Sequence, residues 1–299
     1  MEYQILKQRW FIFGILSNLL LLSLTGCDKL ADDVEPPKVP SKLVLFAFLS
    51  PEEPLVKVEV SRSRPIFGKQ TPGNPYGYIA DAIVTIINQN GQTVNMPYVD
   101  SVSAYLVDQN QFPIEPGQTY KVIAQRGNDL VTGETTVPVL KPAFTSVTYQ
   151  NIAVPDPNGS YFGPAYIYTY KWQDEPAKGN FYRVSVDSRI FSLIFKGPND
   201  FDSTESYYNI CNSIWEDATQ NGQQLTGTCE DYTYYGIEGD TIDFTLLNTD
   251  IHYAEYHKRR LNYFGEDPFS EPVQQYSNVS TGLGVVSSFR KSTQRVLVK

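Results

Sequence analysis

The chain has 299 residues, with 24 Lys and Arg against 33 Asp and Glu, for a formal net charge of −9. That balance lacks the concentrated basic surface of a nucleic-acid binder and argues against docking flat on anionic lipid. Aromatic residues make up 13%, and 21 Tyr, 20 Pro and 20 Gly favour strands and turns over helices.

Residues 1–26 have the three parts of a secretory signal. Lys7 and Arg9 supply a positive start, Trp10 to Leu24 is an almost unbroken apolar run, and Leu24-Thr25-Gly26-Cys27 closes it. The run is too short for a membrane-spanning helix, which needs about twenty apolar residues. The closing tetrapeptide resembles a bacterial lipobox, so Cys27 is expected to be lipidated and to become the first mature residue. Several acyl chains on one residue anchor stably where a single chain binds marginally. Residues 27–41 then read as a tether. Asp28, Asp32, Asp33 and Glu35 make it acidic, and Pro36, Pro37 and Pro40 favour polyproline II. At about 3.1 Å per residue it holds the folded body roughly 40 Å from the lipid. The acidic residues after Cys27 resemble a surface-export signal, which places the protein on the outer membrane, facing the exterior.

From Lys42 strands dominate. "LVLFAFLS" is an apolar run of buried-strand length, and in "VKVEVS" Val56, Val58 and Val60 alternate with Lys57, Glu59 and Ser61. Asn90-Gly91 joins two apolar strands as a hairpin, and Tyr120, Val122 and Ala124 share one face of a strand that turns near Gly127. This pattern predicts a β-sandwich of immunoglobulin or transthyretin type over 42–139. Residues 140–299 predict a larger antiparallel β domain carrying one helix near 250–264. Asp250 or Thr249 is its expected cap, with Ile251, Ala254, Leu261 and Phe264 at helical spacing. The fold class is therefore mainly β.

Two cysteines remain after Cys27. Cys211 and Cys229, 18 apart, are expected to form a disulfide in an oxidising compartment, since they lack the paired spacing and histidines of a zinc site. Tyr166, Tyr168, Tyr170 and Trp172 occupy alternate positions of one strand and make an aromatic stripe. That stripe is either a binding platform or the inner face of the second sheet. His252 and His257, five apart on the predicted helix, point about 140° apart and do not chelate one ion. Gly282-Leu283-Gly284 lacks the third glycine and the βαβ setting of a dinucleotide site. Asp200, Asp202 and Glu205 lack the glycine of a calcium loop and read as a solvated acidic loop. No catalytic motif, metal set or cofactor fingerprint is legible, so the expectation is a protein without enzymatic activity or cofactor.

The stretch Asp267 to Phe289 runs Pro-Phe-x-Glu-Pro, then Ser-Asn-Val, then Gly-x-Gly and a final strand. Here the chain resembles the Bacteroidota lipoproteins grouped as domain of unknown function 4249. The N-terminal progression "DAIVTI…NGQ…EPGQTYKVIA…TTVP" fits as well, and the resemblance spans nearly the whole mature chain. Val285-Val286 follows Gly-x-Gly where an aromatic or glycine is usual, a departure expected to alter a surface loop. The resemblance implies no catalytic or binding residue. Its setting implies an accessory that caps, or gathers ligand for, a TonB-dependent outer-membrane barrel. A protein-binding adhesion or envelope-assembly module is the alternative.

Overall fold

The computed structural model describes residues 40–64, 74, 76–155, 161–176, 179–197, 200–217, 221–231, 241–261 and 275–297. The signal segment, Cys27 and the tether up to residue 39 lie outside them. The N-terminal part supplies β1 (Leu43–Leu49), β2 (Leu55–Arg62), β3 (Ile83–Asn88), β4 (Thr93–Met96), β5 (Tyr98–Val99), β6 (Ala104–Asp108), β7 (Thr119–Arg126) and β8 (Asp129–Thr136). The C-terminal part supplies β9 (Phe144–Pro155), β10 (Tyr161–Gln173), β11 (Phe181–Gly197), β12 (Asp200–Glu216), β13 (Gln224–Asp231), β14 (Thr241–Thr249), helix α1 (Ile251–Leu261) and β15 (Leu283–Leu297). The protein is mainly β with a single α-helix among the described residues.

Alternation decides which face each early strand buries. In β1, Leu43, Leu45, Ala47 and Leu49 point inward, while Val44, Phe46 and Phe48 take the other face. β2 does the same with Val56, Val58 and Val60, as its Val-x-Val-x-Val pattern predicts. These residues join Val84 and Ile86 of β3 and Val122 and Ala124 of β7 in one hydrophobic cluster. Each fully buried Val or Leu contributes about 1.5–3 kcal/mol. The order β4-β3-β7-β8 makes the second layer of this core. Gly91 (φ 82°) and Gly127 (φ 58°) take the left-handed conformations that their hairpin turns require.

The other sheet has the order β12-β11-β14-β15-β1-β2-β6-β5. Its continuity depends on β15, which changes partner midway. Leu283 to Ser288 pair parallel with β1, and Phe289 to Leu297 pair antiparallel with β14. The last strand of the chain thus completes the sheet begun by the first. Six successive residues, Gly284 to Phe289, are buried, so this central strand is covered on both faces and loses the alternation of β1. A second cluster lies between β11-β14 and the sheet β13-β10-β9, and it is built mostly from rings.

Candidate functional site

The residues singled out by the sequence are dispersed. Tyr166, Tyr168, Tyr170 and Trp172 are at most 5% exposed and pack against Tyr182 and Phe244, so no ring of the stripe presents a face to solvent. Gly227 lies opposite Tyr170, and a Cβ there would sit 2.2 Å from the Tyr170 ring. Cys211 of β12 and Cys229 of β13 form a disulfide between the two layers, with Cα atoms 6.1 Å apart. His252 Nδ1 lies 2.6 Å from Tyr276 Oη, while His257 packs against Phe48, Tyr253 and Tyr256. Asp200, Asp202 and Glu205 belong to β12, whose backbone pairs with β11, and do not lie in a loop. Among the described residues no group of three or more His, Cys, Asp or Glu is placed to hold a metal ion.

The motif around Gly282 and Gly284 is structural. A Cβ on Gly284 (φ +113°) would lie 2.0 Å from the Leu45 carbonyl oxygen, and one on Gly282 would lie 2.6 Å from that of Leu43. Two glycines are needed for β15 to approach β1. Asn278 acts as a substitute strand neighbour: its Nδ2 donates to the Val286 carbonyl at 2.7 Å, and its Oδ1 accepts from the Val286 N–H at 2.9 Å. Val285 and Val286, expected to alter a surface loop, are 0% exposed within β15, and Val286 fills the space that Gly133 leaves.

Helix α1 creates a feature with the form of a binding site. Asp250 caps it, Oδ1 accepting from the Tyr253 N–H at 2.8 Å. The Asp250 N–H donates to the Ser288 carbonyl at 3.0 Å, and Thr135 Oγ1 donates to Asp250 Oδ2. The cap thus fastens the helix to β15 and β8 beside the point where β15 changes partner. Burial pushes the Asp250 carboxyl above its ordinary range against these hydrogen bonds. The buried face of the helix is Tyr253, Ala254 and Tyr256, and Ile251 and Leu261 are exposed. Only Ala254 of the expected apolar positions is buried, because the sheet presents Phe46, Phe48 and Phe289 and aromatic partners fit between them. Phe264 lies outside the described residues.

Beside the helix, a half-open groove of about 630 Å³ runs over the outer face of β1, β2 and β6. Phe46, Phe48, Leu55, Leu106 and Tyr256 form its walls, with His257 and Arg260 on the helix side. A smaller cavity of about 410 Å³ continues past the helix and shares Phe46, Tyr256 and Arg260. The charges at the rim are mostly occupied. Lys57 pairs with Glu59 at 2.6 Å, and Lys291 pairs with Glu53. Beneath the helix, Arg183 Nη1 donates to Tyr253 Oη at 2.5 Å and Nε to Asn212 Oδ1 at 2.8 Å. Burial, with Arg183 and Arg260 nearby, lowers the His257 value to about 3, so its imidazole is neutral across physiological pH. Such a group is too weak a base for proton abstraction near neutrality. The groove provides shape, aromatic surface and, beside the paired Lys57, a cation in Arg260 that forms no ion pair among the described residues, which suits binding.

Sequence reasoning missed this groove. Phe46 and Phe48 read there only as part of a buried run, and no periodicity shows that a helix two hundred residues later will cover half of their face. The alternation of Phe46 and Phe48 against Leu45 and Ala47 was the available signal.

The family described as "Domain of unknown function (DUF4249)" matches residues 30–295. No curated protein is matched by the sequence. Among solved structures, a Salmonella alpha-2-macroglobulin mutant aligns at 12% identity and a TM-score of 0.25, over 88% of this chain and 15% of that one. Trypsin-activated alpha-2-macroglobulin from Escherichia coli aligns at 13% identity and a TM-score of 0.23, over 73% and 15%. The chain thus spans about 15% of the length of these structures.

Proposed function

The chain belongs to the DUF4249 family, and from that premise we propose that it is a surface-exposed, lipid-anchored outer-membrane protein without catalytic activity. In this reading Cys27 carries the anchor and residues 28–41 the tether. The body serves a TonB-dependent β-barrel, capping it or gathering its ligand. We read the layers of the first core as an immunoglobulin- or transthyretin-like sandwich. The observation that carries the ligand-gathering role is the aromatic groove beside α1, a concave site of small-molecule size on a β scaffold. The lipobox-like Leu24–Cys27 supports the anchor, and the setting of similar lipoproteins supports the barrel partner.

A second reading, an adhesion or envelope-assembly module, is favoured by β12. Among the described residues this strand of 17 residues stands at a sheet edge and pairs with β11 alone, and the β11/β12 ladder continues past Arg189, where pairing with β14 ends. An open edge of that length is a template for strand addition by another protein.

Affinity purification of the tagged full chain from mildly solubilised outer membranes, with mass spectrometry of what accompanies it, separates the two. A TonB-dependent barrel in near-equal amount is the expected result. Recovery alone, or with unrelated envelope proteins, overturns the transporter role.

A further inference from the structure

The groove beside α1 has a specific chemical character. Its volume of about 630 Å³ lies within the range of small-ligand sites. Tyr256 meets Phe46, Phe48 and His257, and Phe48 meets His257, at tilted and edge angles with centroids 5.1–6.0 Å apart. An inserted ring would extend this packing with the same edge-to-face geometry.

Polar groups converge at the helix side of this aromatic surface. Arg260 is exposed, and among the described residues it forms no ion pair. Among the described residues its side chain makes one hydrogen bond, a long donation to Tyr256 Oη at 3.4 Å. His257 precedes it by three positions, so both lie on one helix face, and both line the groove. The imidazole makes ring contacts and no hydrogen bond among the described residues. A guanidinium and a neutral imidazole N–H together match the two oxygens of a carboxylate. The rim carboxylates Glu53 and Glu59 are engaged by Lys291 and Lys57, which leaves Arg260 as the charge that selects the ligand.

We propose that this groove binds a small arylalkyl carboxylate, its ring seated among Phe46, Phe48 and Tyr256 and its carboxylate held by Arg260 with His257. The inference does not rest on the transporter reading, because it concerns the chemistry of the groove in any compartment.

The test is a ligand-observed NMR titration of the full chain in mild nonionic detergent with 4-phenylbutyrate. 4-Phenylbutylammonium and 4-phenylbutan-1-ol serve as shape-matched controls of opposite and zero charge. Saturable binding of the carboxylate is expected, with the amine silent and the alcohol weaker. Arg260→Gln should weaken binding by about tenfold, as loss of one charge-assisted hydrogen bond does. Leu55→Glu, at a wall residue that is 42% exposed, should abolish binding with an unchanged circular dichroism spectrum. Absence of saturable binding to the wild type, equal binding of amine or alcohol, or an unchanged affinity in Arg260→Gln would each overturn the proposal.

Discussion

The two hydrophobic cores solve the same packing problem with different materials. The first is aliphatic, from Leu43 and Leu45 through Val58 and Ile86 to Val122. Its two large tyrosines are each satisfied twice by backbone. Tyr105 Oη donates to the Ile79 carbonyl and accepts from the Ala82 N–H, and Tyr120 Oη donates to Pro113 and accepts from Glu115. The second core is a stack of Tyr166, Tyr168, Tyr170, Trp172 and Tyr182 around Phe244. Rings fill the space with fewer side chains, but they carry polar atoms inward. Trp172 Nε1 is buried with no partner among the described residues, a cost of about 1–3 kcal/mol. The aromatic core is also the one with a disulfide, which ties edge strands β12 and β13 of its two layers. Aliphatic alternation holds a small layer pair without help. The longer aromatic pair is held by a covalent link.

Breaking what the two cores share should cost most. Gly284→Ala forces a Cβ into the Leu45 carbonyl at a φ of +113° and separates β15 from β1. A loss of more than about 3 kcal/mol is expected, with the two cores unfolding together in urea. A variant that unfolds the first core alone would show that β15 does not couple them.

Replacing Cys211 and Cys229 by Ser should cost about 3 kcal/mol, as for a short closed loop. The effect should appear in near-ultraviolet circular dichroism, which reports the ring stack, and equal stability of oxidised and reduced wild type would contradict it.

Glu52 tests the junction from the aliphatic side. Its carboxylate, about 13% exposed, accepts from Arg290 Nε at 2.8 Å and from the Lys291 N–H at 3.0 Å. Burial alone would raise its pKa, but the hydrogen bonds from Arg290, Lys291 and Ser50 outweigh burial and hold it below its ordinary 4.5. Because the folded value is depressed, the stabilisation is present above pH 4.5 and is lost as pH falls through the folded value. Glu52→Gln should therefore cost about 2 kcal/mol at pH 7, and the gap should close in acid. A gap independent of pH would rule out this role.

Asp250 gives the smallest effect and the opposite sign. Its folded value is raised above the ordinary 3.8, chiefly by burial, so its favourable contribution is full below pH 3.8 and declines as pH rises through the folded value. Asp250→Ala should cost about 1 kcal/mol through loss of the cap. Asp250→Asn keeps an acceptor for the Tyr253 N–H and should cost less, with the wild type gaining on it as pH is lowered. Urea midpoints between pH 3 and 8 measure both variants.

Much of this architecture is local and was therefore legible. The alternation of Val56, Val58 and Val60, the Asn90-Gly91 hairpin and a polar cap at the start of the helix all follow from neighbours within a few positions. The partner switch of β15, the burial of Val285 and Val286 and the groove beside α1 were decided by tertiary structure. Each depends on which surfaces meet across two hundred residues or more, and no local periodicity encodes that. Helix α1 illustrates the division. Its sequence determined that a helix would start at Thr249 or Asp250, but the rings of Phe46, Phe48 and Phe289 on a distant sheet selected Tyr253 and Tyr256 as its buried face, because burial rewards the side that finds a complementary surface.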